Sequence, residues 1–332
     1  MTTLGRLERV DLRYVWTTEA QDFTPWLARE ENLTILADAI GIELELEATE
    51  KDVGPFRADI LCRDTATGDW VLIENQLERT DHLHLGQLLT YAAGLQAATI
   101  VWISSRFTEE HRATLDWLNE ITGERFNFFG LEVELWKIGD SPPAPKFNAV
   151  SQPNDWSRSV GQAAKRISDE PMSETEDSYV RFWAGLRVRL MERDSPIRPV
   201  KPPPENWTMY GVGRTGFSLL ASFNTRENWL RTELFIHEDK DKSLFRHLQS
   251  DREAIEREFG EALEWEELPS RKGSRVATYL RNTDPMNEEL WPRHHEWIAE
   301  NLERLNKVFR PRVKGLNLSS QIAEQRAEHV AE

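Results

Sequence analysis

Between Pro25 and Ile40 the apolar residues Trp26, Leu27, Leu33, Ile35 and Leu36 recur at a spacing that predicts an amphipathic helix, closed by Gly41. The period then changes. Ile42, Leu44, Leu46 and Ala48 alternate with Glu43, Glu45 and Glu47, which predicts a half-exposed strand from Ile42 to Glu50. RADILCRD and WVLIENQL flank the tetrapeptide TATG and read as a hairpin. Asp81 stands where a helix from His82 to about Leu95 needs its N-cap. ATIVWIS, residues 98–104, is a continuous apolar run and predicts a buried strand. Thr108 caps a further helix that reaches Thr122 and stops at Gly123, and Leu131 to Ile138 is one more strand. Helix, three strands, helix, strand, helix, strand is the order of an α/β domain whose sheet is flanked by helices.

The second half is less regular. Tyr179 to Met191 predicts a helix, and Met209–Asn224 and Trp229–His237 predict strands joined by TREN. Helices over Lys242–Phe259 and Glu288–Phe309 flank two weaker strands, so this half reads as α+β. Between the halves lie the proline-rich GDSPPAPKF and the acidic, serine-rich ISDEPMSETED, a solvated linker by composition. The expected organisation is a first domain over 1–140, a linker over 141–178, an α+β domain over 179–315 and a polar tail over 316–332. A proline cluster from Pro196 to Pro204 reads as a long loop.

Composition narrows the class. A chain of 332 residues, 39% of them hydrophobic, is long enough for two well-packed cores. No apolar run approaches the roughly 18 residues of a membrane span, and MTTLGRLERVDLRYVW lacks the apolar core of a signal peptide. The single Cys62 excludes an internal disulfide framework and any multi-cysteine zinc site. A cytoplasmic protein with no membrane partner is expected. The net charge of −16 argues against a protein that coats DNA through bulk positive charge. That charge is concentrated in residues 1–150, with 13 Lys and Arg against 26 Asp and Glu, so the second half is better suited to meet phosphates.

The candidate chemistry lies in the hairpin. If TATG closes it, Asp64 pairs with Asp69, and counting back sets Asp59 opposite Glu74. Opposed side chains on paired strands have Cβ atoms about 4.5–5.5 Å apart. Two carboxylates at that separation repel unless a cation lies between them, and strands as apolar as ADILC and VLIE make unpaired charge costly. A hard divalent ion, Mg²⁺ or Mn²⁺, takes oxygen ligands of this kind. Glu74 and Gln76, two apart, are expected on one face of their strand. In the following helix His84, Gln87 and Tyr91 form one polar stripe.

A strand ending in Asp59, a hairpin, a strand carrying Glu74-x-Gln76, then a helix and a buried strand resembles the PD-(D/E)xK nuclease superfamily. Gln87 and Tyr91 resemble the Q-x-x-x-Y motif of its RecB-like branch, where the pair lies along the groove beside nucleic acid. The whole layout also resembles a family of largely uncharacterised prokaryotic proteins that join such a domain to a C-terminal domain of unknown function. The resemblance implies a restriction-endonuclease-like sheet and a Mg²⁺- or Mn²⁺-dependent phosphodiesterase acting on DNA, in prokaryotic defence or DNA processing. Asp59, Glu74 and Gln76 would be catalytic. Asp59 and Glu74, joined by Glu19, would hold the metal, and Gln87, Tyr91 and His84 would contact substrate. It further implies a homodimer, or a protein partner for the C-terminal domain.

Gln76 departs from the superfamily pattern, which has Lys there. A neutral amide orients water by hydrogen bonding and supplies no positive charge; Arg57 and Arg79 are the basic residues nearest in sequence. The competing reading is a non-catalytic module that keeps the fold and recognises a protein partner or nucleic acid. GVGRTG, residues 211–216, superficially resembles a phosphate loop but has the context of a turn between strands, and no GxxxxGK(S/T) loop occurs.

Overall fold

The computed structural model describes residues 4–53, 56–122, 126–153 and 173–316. The chain forms two compact units, Met1–Met172 and Ser173–Glu332. The expected helix stop at Gly123, most of the acidic linker stretch and the polar tail lie outside the described residues.

The first unit is a mixed sheet flanked by helices. Its elements are β1 (Leu7–Val10), a π-helical turn (Glu19–Phe23), α1 (Thr24–Leu27), α2 (Glu30–Ile40), β2 (Leu44–Val53), β3 (Phe56–Asp64) and β4 (Trp70–Asn75). They continue with α3 (His82–Leu95), β5 (Thr99–Ser104), α4 (Glu109–Ile121), β6 (Asn127–Ile138) and β7 (Ala144–Ser151). The strand order is β1-β6-β5-β4-β3-β2, with β7 also on β6. β4, β5 and β6 run parallel and the other pairs are antiparallel. All six residues of β5 are buried, as its unbroken apolar run requires for a central parallel strand. Ile60, Ile73 and Val101 pack with Phe23, Leu27 and Leu36 on one face. Leu72, Trp102 and Phe128 pack with Leu88 and Leu115 on the other.

Three local features depart from the sequence pattern. The helix expected over 25–40 breaks at Arg29, whose extended backbone (ψ 142) separates α1 from α2. In β2 the register slips between Leu46 and Ala48, so a bulge interrupts the alternation and leaves Leu46 exposed. Residues 144–151, expected as linker, form β7 because Ala144, Phe147 and Ala149 pair with β6.

The second unit is α+β. It contains α5 (Glu174–Glu192), β8 (Trp207–Gly211), β9 (Phe217–Asn224), β10 (Trp229–Ile236), α6 (Ser243–Gln249), α7 (Arg252–Phe259), β11 (Glu264–Glu266), β12 (Ser274–Arg281) and α8 (Trp291–Gly315). Ser173 and Glu176 close a capping box that starts α5 ahead of the expected Tyr179. The antiparallel order is β11-β12-β10-β9-β8. Leu219, Phe223, Leu230, Leu234 and Val276 turn one sheet face onto Phe182, Leu186, Leu302 and Phe309 of α5 and α8. The run Met209–Asn224 is two strands, divided by a turn in which Gly213 and Gly216 take φ of +89 and +90. The helix expected over 242–259 is likewise two, α6 and α7. Among the described residues no helix is long and apolar enough to cross a membrane.

Gly185 fixes how α5 meets α8. A Cβ there would lie 2.2 Å from His295 Cε1, and His295 is buried, which pushes its imidazole down to about 4. Gly185→Ala is therefore expected to destabilise the second unit by about 1–3 kcal/mol, read as a lower urea midpoint at unchanged slope.

Candidate active site

The hairpin closes as its turn predicts. The Asp64 N–H donates to Asp69 O at 3.0 Å and the Gly68 N–H to Asp64 O at 2.8 Å, and the register runs from Arg63–Trp70 to Ile60–Ile73. One step further the regular pairing has ended, and side chains replace the ladder. Asp59 Oδ2 accepts the Asn75 N–H at 2.9 Å and the Asn75 Nδ2–H at 2.8 Å. The Asp59 N–H in turn donates to the Glu74 carboxyl. Asn75 is itself fixed, because its Oδ1 accepts from Thr24 Oγ1 at 3.0 Å. The two strands thus end in a fork, each holding the other's carboxylate by a backbone N–H.

The fork is electrostatically loaded. Glu74 is 3% exposed, and its Oε1 has no hydrogen-bond partner. Burial first, and the Asp59 charge second, raise its carboxyl far above the ordinary range. Asp59 is raised as well, by burial above all; the Asn75 N–H opposes this, Glu19 and Glu50 add to it, and His84 opposes it. Burial and then the Glu74 charge raise the Tyr91 hydroxyl. Asp59 thereby lies within electrostatic reach of Glu74, Tyr91, His84 and Glu19.

Glu19 and Gln76 occupy other hydrogen bonds. Glu19 Oε1 accepts the Leu77 N–H at 2.8 Å, so it pins the segment that leaves β4. Among the described residues no three His, Cys, Asp or Glu side chains converge as a metal-ligand set. β4 ends at Asn75, and Gln76 turns into the core with 1% exposure. Its Oε1 accepts from Trp102 Nε1 at 2.9 Å, while Nε2 donates to Arg79 O at 2.8 Å and, at 3.4 Å, to Asp81 Oδ2. Both ends of the amide are occupied. Arg57 pairs with Glu50, and Arg79 is exposed.

Along α3 the cap is as expected: Asp81 Oδ1 accepts the His84 N–H at 2.9 Å, and Oδ2 meets His84 Nδ1 at 2.8 Å. His84 and Gln87 are partly exposed, Tyr91 is buried, and the three lie on one side of the helix. His82 leaves this stripe. Its Nδ1 meets His111 Nε2 at 2.9 Å, and burial, followed by His82, lowers the His111 imidazole.

Sequence reasoning missed Asn75 and Trp102. Alternation assigns Asn75 to the face opposite Glu74, and Trp102 reads as one more apolar residue of a buried strand. The parallel register that sets Trp102 beside Glu74 is the missing information.

Carboxylate oxygens, one of them buried and orphaned, beside a second carboxylate are a donor set suited to a hard divalent cation.

Comparison with known proteins bears mainly on the second unit. Residues 178–313 match the family model described as "Domain of unknown function (DUF4268)". No curated protein matches. Among solved structures the chain is similar to a repair endonuclease from Pyrococcus abyssi, with 16% identity over 29% of this chain and 41% of that one and a TM-score of 0.25. It is also similar to the EndoMS–dsDNA2 complex, with 21% identity over 32% of this chain and 45% of that one and a TM-score of 0.24. The chain thus spans less than half the length of either.

Proposed function

We propose that the first unit is a divalent-metal-dependent nuclease acting on DNA. The observation that carries this reading is the buried Glu74 carboxyl, whose Oε1 lacks a partner beside Asp59. Asp59 and Glu74 would hold Mg²⁺ or Mn²⁺. Such an ion, when bound, polarises a phosphate oxygen and makes bound water a stronger nucleophile. The protein's own part is preorganisation. Asn75 aims Asp59, the Asp59 N–H aims Glu74, and Thr24 locks Asn75. Glu19 fixes the exit of β4, and in this geometry it supports the carboxylates without joining them as a ligand. Gln76 is a positioning residue, tying Trp102 to the Arg79–Asp81 turn from which His84 is held. The His84–Gln87–Tyr91 side of α3 would lie along the nucleic-acid strand.

One observation favours the second reading, a non-catalytic recognition module. The amide that would orient water in place of the superfamily Lys is fully hydrogen-bonded inside the protein. Incubating labelled single- and double-stranded DNA with Mn²⁺, Mg²⁺ or EDTA separates the two. Metal-dependent cutting that Asp59→Ala and Glu74→Ala both abolish supports the nuclease. No cutting with any metal, while wild type and variants bind DNA equally, supports the recognition module.

A further inference from the structure

Among the described residues of the second unit one sheet face packs on the helices, and alternation decides which side chains the other face carries. In β10 the residues pointing away from the core are Trp229, Arg231, Glu233 and Phe235; in β12 they are Arg275, Ala277, Tyr279 and Arg281. Register then aligns them. Trp207, Ser222, Arg231 and Tyr279 form one continuous row across β8, β9, β10 and β12. Ser222 is the short member of that row, and a cleft of about 420 Å³ opens over it, walled by Trp207, Trp229 and Arg231. A second cleft of about 480 Å³, lined by Trp229, Arg231 and Tyr279, adjoins it.

Cross-strand ion pairs alone would make an ordinary solvated face. Three features exceed that. Large rings stand on the side away from the helices, with Trp207 43% exposed and Trp229 partly so. At the cleft floor Ser222 is 5% exposed, and its buried hydroxyl has no hydrogen-bond partner. Finally, Arg271 lines both clefts, and its guanidinium makes no hydrogen bond or ion pair among the described residues. Its loop is fixed from below: buried Lys242 Nζ donates to Arg271 O at 2.7 Å and to Gly273 O at 2.8 Å. The other arginines of the face are matched. Arg281 pairs with Glu264, and Arg231 and Arg275 pair with Glu233. Among the described residues lining the clefts, Arg271 is the arginine without such a pair.

We infer that this face binds a nucleotide, the base resting against the indoles over Ser222 and the phosphate meeting Arg271. Trp207 and Arg231 are two strand spacings apart, roughly 10 Å, which leaves width for a planar ring between them. Ser222 Oγ offers a polar partner to a base edge, and Arg231 near Trp229 (5.0 Å) extends the platform. This inference stands apart from the chemistry of the first unit and holds whether or not that unit cuts DNA.

The test is fluorescence titration of the full chain, in EDTA, with a labelled twelve-residue deoxythymidylate strand, and calorimetric titration with dTMP. Trp229→Ala is expected to weaken binding about five-fold to a hundred-fold, the range of one stacked base. Arg271→Ala is expected to flatten the salt dependence by about 0.7 in log–log slope, and Arg271→Lys to restore it. Trp207→Ala, at an exposed position, decides the matter should Trp229→Ala fail to fold. Parallel losses with both probes identify a site for one nucleotide; losses with the strand alone identify a strand-binding face. Absence of binding to either probe, or binding unchanged in the folded variants, would overturn the inference.

Discussion

Glu74→Gln is expected to make the metal-free protein more stable at pH 8, with a higher thermal midpoint than wild type. The native carboxyl is buried beside Asp59, which raises it to about 9. In the unfolded chain it titrates in the ordinary range, near 4.3. A folded value above the unfolded one means the native state binds the extra proton, so that stabilisation is complete below the unfolded value and is lost as pH rises towards the folded one. Between pH 5 and 9 the wild type therefore loses stability that the neutral amide keeps, on the order of a few kcal/mol given the coupling to Asp59. At pH 5 the two proteins should melt together. A variant less stable than wild type at pH 8 would show that Glu74 already has a compensating partner in the native protein.

Gln76→Lys, which puts at this position the residue of the pattern that the segment resembles, is expected to destabilise the first unit and to leave any cleavage no faster. The slot is 1% exposed and shaped by three hydrogen bonds. A Lys ammonium reproduces the donors to Arg79 O and Asp81 but removes the acceptor for Trp102 Nε1. Leaving that indole N–H unsatisfied costs about 1–3 kcal/mol, before the cost of burying the charge. Chemical denaturation and initial rates of DNA cleavage read the two effects separately. A stable Gln76→Lys protein that cuts faster would mean the side chain reaches the fork and the present hydrogen bonds are dispensable.

Local rules carried most of the first unit. α3 spans the residues that Asp81 and the following apolar pattern indicate, and the four-residue turn set the β3–β4 register, because both depend on neighbours in sequence. β1 and β7 were not legible. The exposed LERV of β1 carries no apolar alternation, and Pro145 lies within β7, so each is strand only through its pairing with β6. The carboxylate pair was legible as a pair, whereas its geometry was not: alternation extrapolates a ladder through Asp59 and Glu74, but Asn75 captures Asp59 and splits the strands. Gln76 keeps the Glu74 face, since it bonds Trp102, the register partner of Glu74; what the period-two rule could not give is that both ends of its amide are occupied. In the second unit the faces of β10 and β12 follow from alternation, but which rings and arginines become neighbours depends on register across four strands.

Calorimetric titration of Mn²⁺ into the full chain at pH 7, repeated in buffers of different ionisation enthalpy, tests the central claim most directly. If Asp59 and Glu74 hold the cation, binding displaces the proton that burial and mutual repulsion keep on the pair. The expected result is a single site with net proton release, absent in both Asp59→Asn and Glu74→Gln. Mn²⁺ binding without proton release, or undiminished in those variants, would contradict it.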